Sequence, residues 1–83
     1  MKTDINKLKK QIIFRCTFTG TKETDIVFRK TFIKNIDNFS YSELNLTIKI
    51  FINLNDIEIY NILIGKNKSP QNYEKIFNKF KNV

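Results

Sequence analysis

The chain has 83 residues and a formal net charge of +7, from 15 lysines and arginines against eight acidic residues. A chain this short buries only about 60–65% of its unfolded surface, enough for one core but not for a deep active-site pocket. There is no histidine, and Cys16 is the single cysteine. This excludes a zinc site of Cys and His, a Ser–His or Cys–His nucleophilic pair and a disulfide framework. We therefore expect one domain over residues 1–83 that binds a partner and is not an enzyme, with no catalytic residue, cofactor or metal ion of its own.

The positive charge and the single cysteine also bear on the partner and the compartment. The lysines are scattered, and the chain is rich in Lys, Asn and Ile, the residues of A/T-rich codons. A biased genome therefore accounts for the charge, although an acidic partner such as nucleic acid stays open.

One cysteine, with no secretory signal and no presequence rich in Arg and Ser, predicts the bacterial cytoplasm rather than the mitochondrial matrix. No apolar run approaches the roughly 18 residues that span a bilayer, so we expect no membrane insertion.

The first helix is predicted by helical spacing of apolar residues after a capping residue. Thr3 or Asp4 can cap it, and Gly20, which tolerates left-handed dihedral angles, ends it. Its apolar positions recur three or four residues apart: Ile5, Leu8, Ile12 and Cys16.

A polar hinge, residues 20–25, separates this helix from a second one over about residues 22–36. The hinge reads Gly20-Thr21-Lys22-Glu23-Thr24-Asp25 and lies between two strongly apolar segments. Glu23 and Asp25 would fall in the first turn of the second helix, where the helix dipole favours carboxylates. Because the surrounding residues are typical of a scaffold, the hinge is the candidate functional site.

The third and fourth helices are predicted by their caps. Ser40 with Glu43 forms a capping box, and Asn55 or Asp56, followed by Glu58, caps a short fourth helix. Gly65 would end that helix. The third helix has an apolar stripe: Tyr41, Leu44, Ile48, Phe51 and Ile52.

The fifth helix has the clearest start signal. Ser69 is a predicted N-cap, and Pro70 would occupy the first helical position. Four apolar residues then form one helical face: Tyr73, Ile76, Phe77 and Phe80.

A β-strand is the competing interpretation of residues 44–54. Every even-numbered residue there is apolar, and Asn55-Asp56 could form the turn of a hairpin. The predicted caps at Ser40 and Ser69 favour the helix. If the third helix is correct, Leu46 and Ile50 lie opposite its main stripe, where they would be exposed or would cover a second contact.

Several ordered segments resemble one family of small proteins. The resemblance rests on Phe14-Arg15-Cys16 and the hinge, on Asp37-Asn38-Phe39-Ser40, on residues 56–61, and on Gly65-Lys66 with Pro70. It covers about residues 6–80 and points to the factors that promote covalent attachment of FAD to the flavoprotein subunit of succinate dehydrogenase. Their signature reads Arg-Gly-x-x-Glu-x-Asp after a first helix. The resemblance implies an all-α bundle of five short helices.

Two positions depart from the family pattern. The signature arginine is Thr19, and the tryptophan often found in the fourth helix is Ile62. In the family, the Arg-Gly and Glu positions form the face that touches the flavoprotein. Threonine cannot replace the bidentate donor of arginine, so the strength of the contact depends on other residues.

The resemblance implies an assembly factor for the flavoprotein subunit of succinate dehydrogenase, or of the related fumarate reductase, with FAD met only through that client. Glu23 is the leading partner-binding residue. Gly20 would allow close approach of the partner's backbone, although ending the helix is a sufficient role. The hinge would be framed by Lys22, Asp25 and Arg15, although Asp25 could equally pair within the bundle and Arg15 could be merely solvated.

Two rival functions come from other classes. A small basic helical protein that binds DNA or RNA would show binding that weakens steeply with salt. Scarce arginine and dispersed lysines argue against it. A small antitoxin-like or structural dimer would bury Leu46 and Ile50 between two copies.

Overall fold

The computed structural model describes residues 2–17 and 19–81, with the side chains of residues 4–17 and 19–80. Five helices follow one another: α1 (Lys2–Thr17), α2 (Lys22–Phe28), α3 (Tyr41–Asn53), α4 (Asp56–Leu63) and α5 (Glu74–Lys81). A π-helical turn (Arg29–Ile33) and a 3₁₀ turn (Ile36–Asn38) extend α2, and a 3₁₀ turn (Gln71–Tyr73) leads into α5. These residues include no strand, so the predicted all-α bundle is confirmed and the strand interpretation of residues 44–54 is wrong.

The predicted capping box at Ser40 is present, and the predicted cap of α4 is Asn55, which forms a second capping box. Ser40 Oγ accepts the backbone N–H of Glu43, and Glu43 Oε1 accepts the N–H of Ser40 at 2.8 Å. At α4, Asn55 Oδ1 accepts the N–H of Glu58 at 2.8 Å, and Glu58 accepts that of Asn55 at 3.1 Å. Each box satisfies backbone donors that the first helical turn leaves unpaired.

The Ser40–Glu43 box is also tied to α5. Lys79 Nζ lies 2.7 Å from Glu43 Oε2, and the Glu43 side chain is only 9% exposed. The hydrogen bond from Lys79 and the one from the Ser40 backbone lower the pKa of Glu43 below its ordinary value of 4.5. The ionised carboxylate therefore stabilises α3 and its packing against α5 together.

The other predicted helix ends need partial correction. Helix α1 begins at Lys2, so Thr3 and Asp4 already lie inside it and neither is its cap. Ser69 is not the cap at the start of the last helix either. Pro70, predicted at the first helical position, is instead the N-cap residue of the 3₁₀ turn that leads into α5 (φ −58°, ψ 144°), and its carbonyl accepts the N–H of Tyr73. Gly65 follows the end of α4 with φ +84°, as predicted for a terminating glycine.

Aromatic rings from α2, α3 and α5 form the centre of the core. The Phe32 ring lies 5.6 Å from that of Phe28 and 5.0 Å from those of Phe51 and Phe80, between centroids. These distances are typical of favourable aromatic pairs. On the α1 side the core is completed by Ile12 and Cys16, both fully buried.

The buried face of α3 differs from the predicted stripe. Ile50, predicted to lie opposite the main stripe and to be exposed or to cover a second contact, is fully buried, whereas Ile52 is 74% exposed and Tyr41 is half exposed. Thr47 is buried as well, because its hydroxyl bonds to the carbonyl of Glu43 at 2.8 Å. Since α3 packs against both α1 and α5, its buried face is broader than hydropathy alone indicates. Since Ile50 is buried within one chain and Leu46 is half-buried against the same core, Ile50 is not available to be buried between two copies.

Among the described residues, no helix combines the length and the apolar character needed to cross a membrane.

Candidate functional site

The hinge begins with a glycine in a conformation that other residues avoid. Gly20 is exposed and has φ +96°. A Cβ placed on it would meet no atom within 4 Å. A glycine is therefore required at position 20 by the backbone angle and not by crowding from other atoms of the chain. The space beside it is open to a partner.

Hydrogen bonds between threonines order the start of α2. Thr21 is the N-cap, and its hydroxyl accepts the N–H of Thr24 at 3.3 Å and lies 2.7 Å from the Thr24 hydroxyl. The backbone N–H of Asp25 bonds to the Thr21 carbonyl at 3.1 Å. The turn is thus rigid although it is a polar surface segment.

Thr19, which stands where the family signature has arginine, is engaged within the chain. Its hydroxyl bonds to Asp25 Oδ1 and lies 3.2 Å from the Thr21 carbonyl. A hydroxyl has one hydrogen, and the charged carboxylate is the stronger acceptor. Asp25 therefore pairs inside the hinge, one of the two roles that its sequence position predicted.

Arg15 is likewise held by neighbouring helices. Its Nη1 lies 2.5 Å from Asp56 Oδ1 at the start of α4. Its guanidinium lies 5.5 Å from the centroid of the Phe51 ring on α3. Asp56 Oδ1 is buried and accepts no hydrogen bond from the described residues, so the charge of Arg15 is what compensates it. The contact joins α1, α3 and α4 beside the hinge.

Lys22 and Glu23 remain as the available charges of the hinge. Both are exposed on the first turn of α2. Neither side chain forms a hydrogen bond or an ion pair with another described residue. Of the five residues predicted to bind the partner, Gly20, Lys22 and Glu23 therefore face outward unpaired, whereas Asp25 and Arg15 have partners within the chain.

A cleft of about 440 Å³ lies between the hinge and the first turn of α4. Seven residues line it: Thr19, Gly20, Thr21, Thr24, Asn55, Asp56 and Ile57. Asn55, Asp56 and Ile57 could not be placed beside the hinge from the sequence, because α4 reaches the hinge only through its packing against α2. One signal for this was present in the sequence: Ile57 does not share a helical face with Ile59 and Ile62. Those two isoleucines are buried, whereas Ile57 is exposed.

Potential metal ligands and the single thiol bear on whether the described residues could support metal binding or nucleophilic chemistry. They include no group of three or more potential metal ligands. Cys16 is fully buried, and this burial raises the pKa of its thiol to about 12. Since the thiolate is the reactive form, the cysteine is a poor nucleophile.

Comparison with known proteins agrees with the resemblance carried by the hinge. Residues 10–83 match the family model described as Sdh5, flavinator of succinate dehydrogenase. No curated protein and no solved structure matches significantly. The match extends from the middle of α1 to the end of the chain and includes the whole hinge. The chain therefore belongs to the family of flavinators of succinate dehydrogenase, which are assembly factors for flavin attachment.

Proposed function

We propose that the chain binds the immature flavoprotein subunit of succinate dehydrogenase and promotes its covalent attachment to FAD. The observation that carries the proposal is the family match over residues 10–83. The flavoprotein supplies the histidine and the flavin chemistry, and the chain acts as a binding factor and not as an enzyme. With two glycines in all, it contains no Gly-x-Gly-x-x-Gly phosphate loop, so FAD is met through the client.

The contact face is the outer surface of the hinge. Glu23 and Lys22 are exposed and unpaired among the described residues, so a partner can use their charges without breaking an internal contact. Gly20 leaves open space beside the backbone. Thr19 cannot donate as arginine does, because its one hydroxyl hydrogen is directed to Asp25. Binding therefore depends on Glu23 more heavily than the family signature implies.

The chain promotes flavinylation by shifting a conformational equilibrium. If it binds the attachment-competent conformer of the flavoprotein more tightly than other conformers, it raises the population of that conformer. Its net charge of +7 would speed encounter with an acidic face of the client. We place this reaction in the bacterial cytoplasm, with the flavoprotein of fumarate reductase as a second client.

The test is reconstitution from purified components. The apo-flavoprotein is mixed with FAD and the chain, the sample is denatured, and protein-bound flavin fluorescence is read on a gel. We expect covalent flavin to depend on the chain and to fall with Glu23→Ala. Glu74→Ala is the matched control, since Glu74 is an exposed glutamate on α5. Undiminished flavinylation by Glu23→Ala would remove the hinge as contact face, and no stimulation by the wild-type chain would refute the function.

We propose no nucleic-acid partner. Three basic side chains of the described residues form ion pairs with acidic residues, so their charges are partly neutralised within the chain. The pairs are Lys9–Asp37, Arg15–Asp56 and Lys79–Glu43. We expect no binding to mixed-sequence DNA or RNA at about 0.15 M salt. Tight binding that weakens steeply with added salt would instead support the nucleic-acid function.

A further inference from the structure

We propose that Ile57 is an apolar anchor for the flavoprotein, so that the contact surface continues from the hinge onto the first turn of α4. Its occupant would be an apolar side chain on the client's surface, seated in the cleft between the hinge and α4. The inference rests on the proposed function and names the chemistry of the partner at that same site.

The exposure of Ile57 is the first observation. It is 72% exposed and lines the cleft together with Gly20. The other two isoleucines of α4, Ile59 and Ile62, lie on its inner face and are buried in the core. Ile57 therefore lies outside the buried core, and most of its side chain is open to a partner seated in the cleft.

The polar groups around the cleft are the second observation, because they are already engaged. The hydroxyls of Thr21 and Thr24 bond to each other, and that of Thr19 bonds to Asp25. Asp56 is paired with Arg15. Because these groups have partners within the chain, the surface offered to a partner is mainly apolar. Burying it requires little loss of hydration from unpaired polar atoms, which favours an apolar occupant over a charged one.

The walls of the cleft are also held in place before binding. The hinge is ordered by the Thr21 cap, and the first turn of α4 is held by the Asn55–Glu58 capping box and by the Arg15–Asp56 ion pair. A preorganised surface loses less conformational freedom on association. Glu23 and Lys22 on the hinge would then form part of a polar rim beside an apolar centre, an arrangement typical of protein interfaces.

The experiment measures the affinity of the full chain for the apo-flavoprotein by calorimetry. We expect Ile57→Ala to raise the dissociation constant about tenfold, an effect that only a minority of interface residues produce on truncation to alanine. The matched control is Ile52→Ala on α3, since Ile52 is 74% exposed and does not line the cleft. Its dissociation constant should stay within about twofold of wild type, and neither variant should change the thermal midpoint appreciably, because both side chains are exposed.

Three results would overturn the inference. If Glu23→Ala weakens binding but Ile57→Ala does not, the proposed function stands and the contact surface ends at the hinge. If Ile57→Ala instead abolishes a concentration-dependent rise in the chain's own mass, the occupant is a second copy. If the wild-type chain neither binds nor flavinylates the client, the proposed function fails together with the inference.

Discussion

Replacing Arg15 with alanine should destabilise the fold, since the structure gives this residue an internal role beside the hinge. The substitution removes the guanidinium that lies 2.5 Å from Asp56 Oδ1 and 5.5 Å from the centroid of the Phe51 ring. It leaves a buried carboxylate oxygen with no hydrogen bond from the described residues. The free energy of unfolding should therefore fall.

The magnitude follows from two contacts. A buried polar group left unpaired costs about 1–3 kcal/mol, and a cation–π contact near the surface contributes about 0.5–1 kcal/mol. The side chains of Arg15 and Asp56 are 35% and 24% exposed, so water screens the ion pair and favours the lower part of this range. We expect a loss of about 2 kcal/mol, which lowers the thermal midpoint of a domain this size by roughly 8–16 °C.

The assay is urea unfolding of the full chain followed by far-ultraviolet circular dichroism. Arg29→Ala is the matched control, because Arg29 is exposed and forms no ion pair with the described residues. It should change stability by less than about 0.5 kcal/mol. The double variant Arg15→Ala/Asp56→Asn should lose about 1 kcal/mol less than the sum of the single variants. Equal, small effects of Arg15→Ala and Arg29→Ala would refute the internal role.

Three further predictions concern single residues. The pKa of Glu43 is lower in the folded chain than its ordinary 4.5, so its stabilisation is present above about pH 4.5 and is lost as the pH falls through the folded-state pKa. Glu43→Gln should thus flatten the loss of stability on acidification, and parallel pH curves would contradict this. Gly20→Ala should lower stability by about 1 kcal/mol in thermal melts, because its φ is +96°; an unchanged midpoint would show that the strain is relieved. The Cys16 thiol, buried and with its pKa raised to about 12, should resist iodoacetamide in the folded chain and react in urea. Rapid labelling of the native protein would show that it is accessible.

Features that depend on residues three or four positions apart could be predicted from the sequence. Both capping boxes are of this kind, since Ser40 and Glu43, like Asn55 and Glu58, bond across one helical turn. The turn at Gly20 also followed from local chemistry. The outward position of Glu23 agrees with its place in the first turn of α2.

Which face of a helix is buried could not be predicted in the same way. Ile50 and Ile52 are both isoleucines on α3, yet the first is buried and the second is exposed. Hydropathy is the same for both, and the difference comes from the positions of α1 and α5 around α3. Thr47 is buried because a backbone carbonyl satisfies its hydroxyl, which no scale of residue polarity includes.

The sequence by itself determined the helical class, the caps of α3 and α4 and the family, because these depend on local hydrogen bonds and on an ordered set of motifs. Only the tertiary structure decided what surrounds the hinge. Arg15 pairs with Asp56 from a distant helix, and Ile57 reaches the cleft beside Gly20. Both contacts join residues far apart in the chain, so they exist only once the packed helices bring them together.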